Sequence, residues 1–335
     1  MKMYTESDAS LEPLAGKTVA ILGYGNQGRA QALNLRDSGV NVVVGNRDDS
    51  YAEQAKADGF EPITILEAAT AADFLSILTT DESQPLIWDE QIAPGLASGN
   101  TLVWSSGYNV GYDLITLPAD VDVVMVAPRM TGNYVRILFE NGKGAIAQVA
   151  VHQNASGEAW ARMMAMAKGI GTTRGGVFES SFREEAELDL YAEQVVWPGL
   201  VAWFEESFKL GVEQGFSPEL MVLELYASGE AAEILGMMAQ NGFYKQMANH
   251  STTSQYGTLS RSRTLLNDEI KARMRKNLVE DIKGGAFVKE WSDEQSAGSR
   301  VLAKLKEEVL NNPMSQAEDR IIPLVQQAHK LNVQK

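Results

Sequence analysis

The sequence predicts an α/β fold in which a doubly wound parallel sheet is followed by an all-helical domain. Three observations predict it. A strand, a glycine turn, an amphipathic helix and a second apolar strand follow one another between residues 17 and 47. Further apolar strands alternate with helical or loop segments up to residue 151, and only long helical periods follow residue 182. We therefore predict an α/β domain over residues 1–182 and a helical domain over residues 183–335.

The individual elements are predicted from apolar runs and from helical periodicity. Because the first two strands are joined by a helix, they should run parallel. The predicted strands cover residues 18–22, 41–47, 74–78, 101–104, 121–126 and 144–151. The predicted helices of the second domain cover residues 195–214, 218–239, 268–284 and 296–311.

Composition narrows the class of function. The 335 residues include 29 Lys and Arg and 44 Asp and Glu, and the resulting net charge of −15 repels the phosphate backbones of nucleic acids. There is no cysteine, so disulfides, thiolate catalysis and cysteine-based metal sites are excluded. The N-terminus is polar and no apolar run approaches the roughly 18 residues that span a bilayer. We expect a soluble, cytoplasmic protein without nucleic-acid or membrane partners.

A glycine motif lies between the first strand and the first helix. Gly23, Gly25 and Gly28 form G-x-G-x-x-G in the strand–turn–helix context that makes this pattern informative. The glycines permit a tight turn and bring the backbone close to a pyrophosphate at the helix N-terminus. A Rossmann-type dinucleotide site is therefore predicted. Its turn residues are Gly23, Tyr24, Gly25, Asn26, Gln27 and Gly28.

The residues after the second strand carry conflicting signals about the cofactor. An acid at this place binds the ribose 2′-hydroxyl of NAD, whereas an Arg accommodates the 2′-phosphate of NADP. Arg47 and Ser50 are predicted to bind the cofactor, while Asp48 and Asp49 would repel a 2′-phosphate. The two acids can also simply cap the next helix. We expect NADH to be used at least comparably with NADPH.

The segment 182–194, FREEAELDLYAEQ, is unusually acidic. Glu185, Asp189 and Glu193 fall on one helical face, where like charges four residues apart repel by a few tenths of a kcal/mol. A solvated surface is one explanation. A metal site is the other, since Mg²⁺ takes hard oxygen ligands and two carboxylates one turn apart suit it.

Four ordered motifs closely resemble ketol-acid reductoisomerase, also called acetohydroxy acid isomeroreductase, in its short class I form. They are ILGYGNQGRAQALNLRDSGV, VAVHQNASG, AKGIGTTRGGV and FREEAELDLYAEQ, and the resemblance runs from about residue 14 to about residue 260. It implies a Rossmann domain joined to a knotted helical domain, in a homodimer or larger homo-oligomer whose subunits share active sites. It also implies isomerisation of a 2-aceto-2-hydroxy acid such as 2-acetolactate and reduction by NADPH or NADH, in branched-chain amino-acid biosynthesis, with two Mg²⁺ ions.

The resemblance places the metal ligands on acidic residues. Asp189 and Glu193 match the first pair of family ligands. In the second pair Glu230 matches one ligand when the segment is aligned back from Ser251, and this alignment puts Tyr226 on the other ligand. Alignment forward from residues 217–219 puts Glu224 there instead, although residues six apart cannot share a regular helical face. The predicted metal residues are Asp189, Glu193, Glu224 and Glu230.

The resemblance also assigns cofactor, substrate and catalytic residues. The matched cofactor-side residues are Asp81, Glu82, Ser83, Gln84 and Gly132, and the matched substrate residue is Ser251. Where the family has His-Gly-Phe-Asn, this chain has Ser106-Gly107-Tyr108-Asn109, and Arg129 replaces the usual Lys. The predicted catalytic residues are Ser106, Arg129 and Glu230. A serine needs an activating partner to accept protons near neutral pH, so Glu230 is the preferred proton carrier.

Two side chains are left with less specific predictions. Glu185 is expected either beside the metal ligands or in solvent, and His329 is expected to be exposed.

Two other functions compete with the reductoisomerase. One is a paralogous NAD(P)H-dependent reductase of a small 2-keto acid that has lost isomerase activity. The other is a non-catalytic NAD(P)-binding protein, which would have no use for Asp189, Glu193 and Glu230.

Overall fold

The computed structural model describes the backbone of residues 1–333 and the side chains of residues 1–328, so the predicted exposure of His329 lies outside the described residues. The chain forms two compact units, which divide between Asp189 and Leu190. The predicted domain limits, 1–182 and 183–335, stay a prediction.

The first unit is built on one sheet of eight strands. They are β1 (Met3–Tyr4), β2 (Thr18–Leu22), β3 (Asn41–Gly45), β4 (Phe74–Ile77), β5 (Thr101–Trp104), β6 (Asp122–Pro128), β7 (Ala147–Gln153) and β8 (Val177–Glu179). Their order across the sheet is β1-β8-β7-β6-β5-β4-β2-β3. The strands from β3 to β6 are mutually parallel, as predicted, while β7 runs antiparallel to β6 and β1 antiparallel to β8.

The sheet is covered on both faces, which explains why its strands read as unbroken apolar runs. Along β2, Val19 and Ile21 pack into one core cluster, and Ala20 and Leu22 pack into the other. The six predicted strands are found within a few residues of their expected ends. The very short β1 and β8 were not predicted, because two or three residues carry no recognisable alternation.

Helices connect these strands and cover them. The α-helices of the first unit are Asn26–Asp37, Ser50–Ala57, Ile65–Ala71, Gln84–Ile87, Tyr108–Gly111, Gly132–Glu140, Ala159–Gly169 and Phe182–Tyr191, the last of which continues past the division. Shorter turns of 3₁₀ or π-helix lie at Glu6–Asp8, Glu12–Leu14, Trp88–Ile92, Ala93–Gly95 and Thr172–Arg174. The α/β class of the first unit is therefore confirmed.

From Leu190 to Val333 the second unit contains helices and no strand, as predicted. Its α-helices are Trp197–Glu213, Pro218–Val222, Glu230–Asn241, Thr252–Leu265, Asp268–Lys276, Ala286–Ser296, Arg300–Leu310 and Pro313–Val333. Helical turns of π or 3₁₀ type lie at Ala192–Val196, Leu223–Ala227, Lys245–Asn249 and Asn277–Lys283. None of the described helices is both long and apolar enough to cross a bilayer.

Residues 218–239 do not form the single regular helix that the sequence predicts. A π-helical turn covers Leu223–Ala227, and Gly229 then adopts a left-handed conformation with φ of 91° before a new helix begins at Glu230. The premise that Glu224 and Glu230 lie on one regular helix is therefore wrong. The helix Thr252–Leu265 was missed because its sequence, TTSQYGTLSRSRTL, has no apolar periodicity.

Candidate active site

The predicted site residues of the first unit follow the carboxyl ends of neighbouring strands. The glycine turn follows β2, Asp81 follows β4, Ser106 follows β5 and Arg129 follows β6. Because β3 and β4 lie on opposite sides of β2, the chain changes direction across the sheet between β2 and β4. Open α/β sheets bind their ligands outside the carboxyl ends of the strands at such a point.

The glycine turn is enforced by close backbone packing. Gly23 has φ of 98°, and a Cβ on it would lie 2.7 Å from the backbone nitrogen of Thr79. A Cβ on Gly28 would lie 1.9 Å from the carbonyl oxygen of Gly23. The helix that starts at Asn26 has no side-chain cap, so the N–H groups of its first turn are available to an anion such as a pyrophosphate.

A cleft of about 580 Å³ opens beside this turn and brings several predicted cofactor residues together. Its walls include Tyr24, Gly25, Asn26, Ser50 and Gly132. Gly132 packs directly on the turn, since a Cβ there would lie 1.9 Å from the carbonyl oxygen of Asn26. The Gln27 Nε2 atom also reaches across, donating to the carbonyl oxygen of Met130 at 2.9 Å. A cleft beside a glycine turn and an uncapped helix N-terminus has the chemistry that a dinucleotide site needs.

The Tyr24 side chain belongs to the hydrophobic core of the first unit. It is 1% exposed, and its hydroxyl donates to Asp58 at 3.0 Å. Arg29 holds the same carboxylate through two hydrogen bonds of 2.6 and 2.9 Å. The Tyr24 N–H donates to the Asn46 Oδ1 atom at 3.0 Å. Neither Asp58 nor Asn46 was anticipated, and only the position of Asn46 at the end of a strand could have suggested it.

The turn after β3 confirms the capping role for one of its two acids. The Asp49 carboxylate accepts from the N–H groups of Tyr51 and Ala52 at 2.9 and 3.3 Å, which caps the helix Ser50–Ala57. Arg47 donates to the same carboxylate at 2.6 Å, and this bond is the main reason that the pKa of Asp49 lies below its usual range. Asp48 is exposed and does not cap the helix. Arg47 and Asp48 line a second cleft of about 450 Å³.

Ser106 has a carboxylate partner. Its Oγ atom donates to Asp81 Oδ2 at 3.3 Å and accepts from the Tyr108 N–H at 3.2 Å. Asn109, which is fully buried, donates to the carbonyl oxygen of Asp81 at 2.9 Å. The loops after β4 and β5 are therefore joined at these residues.

Gln84 ties the same two loops together from the protein interior. Its buried side chain accepts from Asn109 Nδ2 and from Trp104 Nε1, both at 2.9 Å. By contrast Glu82 is exposed, and the Ser83 hydroxyl donates to the carbonyl oxygen of Thr80 at 2.8 Å. Of the four residues 81–84, Asp81 is the one in direct contact with Ser106.

The Tyr108 hydroxyl is an unexpected polar group beside Asp81. It is inaccessible to solvent and has no hydrogen-bond partner among the described residues. Burial, with a further contribution from the charge of Asp81, raises the pKa of Tyr108 to about 12. The tyrosine therefore stays a neutral donor at physiological pH. Its place in the Ser-Gly-Tyr-Asn motif was the available sequence signal.

Arg129 lies between two of the acids on the segment 182–194. Glu185 is only 2% exposed, and its carboxylate accepts from Arg129 Nη1 at 2.7 Å and from the Gly107 N–H at 2.6 Å. Arg129 Nη2 donates to Asp189, whose side chain is 42% exposed. The repulsion between Glu185 and Asp189 that the sequence predicts is present, but Arg129 bridges the two carboxylates and offsets it. The solvated alternative for Glu185 is wrong, because this side chain is buried.

Burial has a strong effect on the protonation of Glu185. Loss of solvent raises the pKa of this carboxyl to about 7, against the opposing effects of the Gly107 N–H and the Arg129 guanidinium. The nearby charges of Asp189 and Asp81 add to the rise.

The predicted ligands of the second unit lie on irregular helical segments. Glu193 and Glu224 are exposed residues of the π-helical turns Ala192–Val196 and Leu223–Ala227. Glu230 is an exposed first residue of its helix. The Tyr226 hydroxyl, the alternative to Glu224, is hydrogen-bonded to Glu318.

Substrate and metal binding at these residues stays a prediction. Ser251 caps the helix Thr252–Leu265 by accepting from the Ser254 N–H at 3.2 Å. In the described part of the chain no three His, Asp or Glu side chains converge so as to hold a metal ion. The donors are nevertheless carboxylate oxygens, the ligand type that Mg²⁺ prefers.

Comparison with known proteins identifies the family. Residues 13–176 match the family described as "Acetohydroxy acid isomeroreductase, NADPH-binding domain", and residues 182–327 match "Ketol-acid reductoisomerase, C-terminal domain". The chain is 44% identical to the ketol-acid reductoisomerase (NADP(+)) of Pyrobaculum neutrophilum, over 93% of this chain and 95% of that protein. It is 43% identical to the enzyme of Methanopyrus kandleri, over 96% and 97% of the two chains.

A solved structure agrees with the sequence matches. It is described as an NADH-preferring ketol-acid reductoisomerase from an uncultured archean, and it superimposes with a TM-score of 0.92 at 36% identity, covering 97% of this chain and 99% of that one. The matches cover both the dinucleotide-binding sheet and the helical half. The chain therefore belongs to the ketol-acid reductoisomerase family of NADP-dependent oxidoreductases.

Proposed function

We propose that the chain is a Mg²⁺-dependent reductoisomerase of branched-chain amino-acid biosynthesis. It rearranges a 2-aceto-2-hydroxy acid such as 2-acetolactate by alkyl migration and reduces the product with NAD(P)H. The observation that carries the proposal is the position of the cluster of Ser106, Arg129, Glu185 and Asp189. It lies at the same sheet edge as the dinucleotide cleft, and the Gln27–Met130 bond joins the cleft to the residue next to Arg129.

The cofactor would lie along the glycine turn. When bound, NAD(P)H supplies the hydride for reduction. Gly23, Gly25 and Gly28 let the backbone approach its pyrophosphate, and the uncapped helix at Asn26 orients N–H groups toward that charge. Ser50 lines the cleft beside this turn and Arg47 lines the second cleft, and both residues would contact the adenosine part of the cofactor.

The metal ions would be held by Asp189, Glu193 and Glu230, with Glu224 as the fourth candidate. The resemblance to the family and the oxygen chemistry of these side chains support this assignment. When bound, Mg²⁺ polarises the hydroxyl, carbonyl and carboxylate oxygens of the substrate as a Lewis acid. Ser251 would contact the substrate.

Proton transfer would use carboxylates rather than the missing histidine. The Ser106 hydroxyl donates a hydrogen bond to the Asp81 carboxylate, so the serine has the partner that it needs to relay a proton. The exposed Glu230 remains the preferred carrier for the other proton transfers. The neutral Tyr108 hydroxyl, close to Asp81, can donate a further hydrogen bond.

We infer that NADH serves at least as well as NADPH. The Arg47 guanidinium is already paired with Asp49, and the exposed Asp48 would repel a 2′-phosphate. Curated relatives are described as NADP(+) enzymes, whereas the solved relative is described as NADH-preferring. Michaelis constants for the two cofactors test this inference. A hundredfold advantage of NADPH, about 2.7 kcal/mol, would contradict it.

We also propose a cytoplasmic homodimer or larger homo-oligomer. Several apolar side chains of the second unit are strongly exposed, among them Trp197 at 53% and Val201 at 62%. Large exposed apolar surfaces usually mark an interface. Light scattering at micromolar concentration should give at least twice the mass of the 36.6 kDa chain, and a monomeric mass would contradict the proposal.

The alternative function is reduction of a small 2-keto acid without isomerisation. Two observations favour it. Ser106 stands in the place of the family's histidine, and Arg129 contacts Asp189, which is one of the predicted metal ligands. Turnover of 2-acetolactate with each cofactor, with and without Mg²⁺, tests the leading proposal. Reduction of 3-hydroxy-3-methyl-2-oxobutyrate, the isomerised intermediate, without turnover of 2-acetolactate would select the alternative.

A further inference from the structure

We propose that Arg129 is an internal counter-cation that competes with Mg²⁺ for Asp189. This inference rests on the proposed role of Asp189 as a metal ligand. Before Mg²⁺ binds, the Arg129 guanidinium holds the Asp189 carboxylate. Metal binding is then an exchange, in which Asp189 leaves Arg129 for the ion.

The position of Arg129 is set by the sheet and by a buried carboxylate. Arg129 directly follows β6, and its N–H donates to the carbonyl oxygen of Ile146 at 2.8 Å. Its Nη1 atom binds Glu185, which is almost fully buried and is held from a second side by the Gly107 N–H. Glu185 is therefore the fixed anchor of the guanidinium.

Asp189 is the partner that can leave. Its side chain is 42% exposed and receives the other guanidinium nitrogen, Nη2. Water can replace that hydrogen bond at little cost, because partly exposed ion pairs contribute little net stability. Arg129 would remain with Glu185 after the exchange and keep the latter's charge compensated.

The planar fork of arginine is suited to this arrangement. Two terminal nitrogens serve two carboxylates at once, whereas a lysine brings a single nitrogen. A lysine at position 129 would stay with the buried Glu185 and would hold Asp189 less firmly. The substitution Arg129→Lys keeps the charge and removes only the fork.

Calorimetric titration with MgCl₂, without substrate or cofactor, tests the inference on the full chain. We expect Arg129→Lys to bind Mg²⁺ about fivefold more tightly than the unsubstituted protein, which is the upper end of the contribution of an exposed ion pair. The matched control is Arg183→Lys, since Arg183 pairs with Glu187 on the same helix at 2.7 Å. The affinity of this control should stay within twofold of the unsubstituted protein.

The outcomes separate the inference from the proposal on which it rests. If Asp189→Asn weakens Mg²⁺ binding while Arg129→Lys leaves it unchanged, the metal site stands and the counter-cation is disproved. If neither the unsubstituted protein nor Arg129→Lys binds Mg²⁺, the metal site fails and the inference fails with it. Should Arg129→Lys not fold, as judged by circular dichroism, Arg129→Gln must show the same gain in affinity.

Discussion

The acidic residues of the two units are held in very different ways. In the first unit Glu185 is buried and Asp189 half-buried, and both are bound by Arg129. In the second unit Glu224 and Glu230 are exposed. Side chains that are locked by hydrogen bonds and packing are preorganised for chemistry. The comparison teaches that the sheet edge holds its acids by hydrogen bonds and burial, whereas Glu224 and Glu230 of the helical unit lie in contact with solvent.

The hydrophobic residues differ in the same sense. The first unit has a core on each face of its sheet. In the second unit the described core is small and centres on Phe208, Val222 and Ala317, while Val301 and Leu305 of one helix are more than 50% exposed. Large exposed apolar surfaces usually mark interaction sites. If the second unit is covered in the proposed oligomer, we expect its carboxylates to be ordered there.

The largest expected effect comes from Asp189→Asn, which removes a charged ligand and keeps the side-chain shape. Turnover that depends on Mg²⁺ should fall by about a thousandfold, since a bound metal contributes several kcal/mol. Sequence spacing alone would predict slight stabilisation through relief of repulsion. With Arg129 in contact we expect instead a small loss, up to about 1 kcal/mol.

Turnover against Mg²⁺ concentration, NAD(P)H affinity and melting temperature check this prediction. The matched control is Glu187→Gln on the same helix, because Glu187 pairs with Arg183. Cofactor affinity should be unchanged in both variants. Normal Mg²⁺-dependent turnover of Asp189→Asn would show that Asp189 is not a metal ligand, although Arg129 holds it in place.

The second prediction concerns the buried acid of the first unit. The pKa of Glu185 in the folded protein, about 7, lies above its ordinary value of 4.5. Between these pH values the folded state keeps a proton that the unfolded state releases, so the contribution of Glu185 to stability falls as pH rises. The loss should approach about 3 kcal/mol across this window. The charged groups facing Glu185 are Arg129, Asp189 and Asp81.

Chemical unfolding at pH 4.5 and pH 7 measures this effect as a difference between proteins. Glu185→Gln should lose less stability than the unsubstituted protein as pH rises. Glu184→Gln, at an exposed neighbour on the same helix, should behave like the unsubstituted protein. Equal pH dependence of all three proteins would show that Glu185 is not the responsible group.

The exposed acids of the second unit can be ranked by substitution. Glu230→Gln should reduce turnover by tenfold to about a hundredfold, as expected when a charged ligand or proton carrier becomes neutral. Glu224→Gln should have a smaller effect, because Glu224 and Tyr226 are alternative candidates for the same metal-ligand position. Rate constants at saturating Mg²⁺ decide between them. A larger loss for Glu224→Gln would reverse the assignment of the two residues.

The smallest effect is expected at the turn beside the cofactor cleft. Asp49→Ala removes a helix cap and should destabilise the protein by about 1 kcal/mol. Asp48→Ala, next to it, should change stability by less than about 0.5 kcal/mol because Asp48 caps nothing. Chemical unfolding of both variants measures the difference. Equal effects of the two substitutions would mean that the Asp49 cap does not stabilise the folded protein.

The sequence by itself determined the features that depend on neighbouring residues. The strand–turn–helix unit around Gly23 and Gly28 was predictable because apolar runs, turn glycines and helical periodicity are local patterns. The absence of strands from Leu190 to Val333 was predictable for the same reason. The family resemblance then pointed to Ser106, Arg129 and Asp189 as site residues.

Only the tertiary structure decided which of these residues meet. Arg129 is 56 residues from Glu185 and 60 from Asp189, and Ser106 is 25 residues from Asp81. No sequence period encodes such distances. These residues meet because parallel strands end at one edge of the sheet. At that edge Glu185, for which a solvated position was one prediction, is buried and bound by Arg129. Local sequence patterns therefore predict the helices and strands, whereas the packing of these elements decides which charged side chains form pairs.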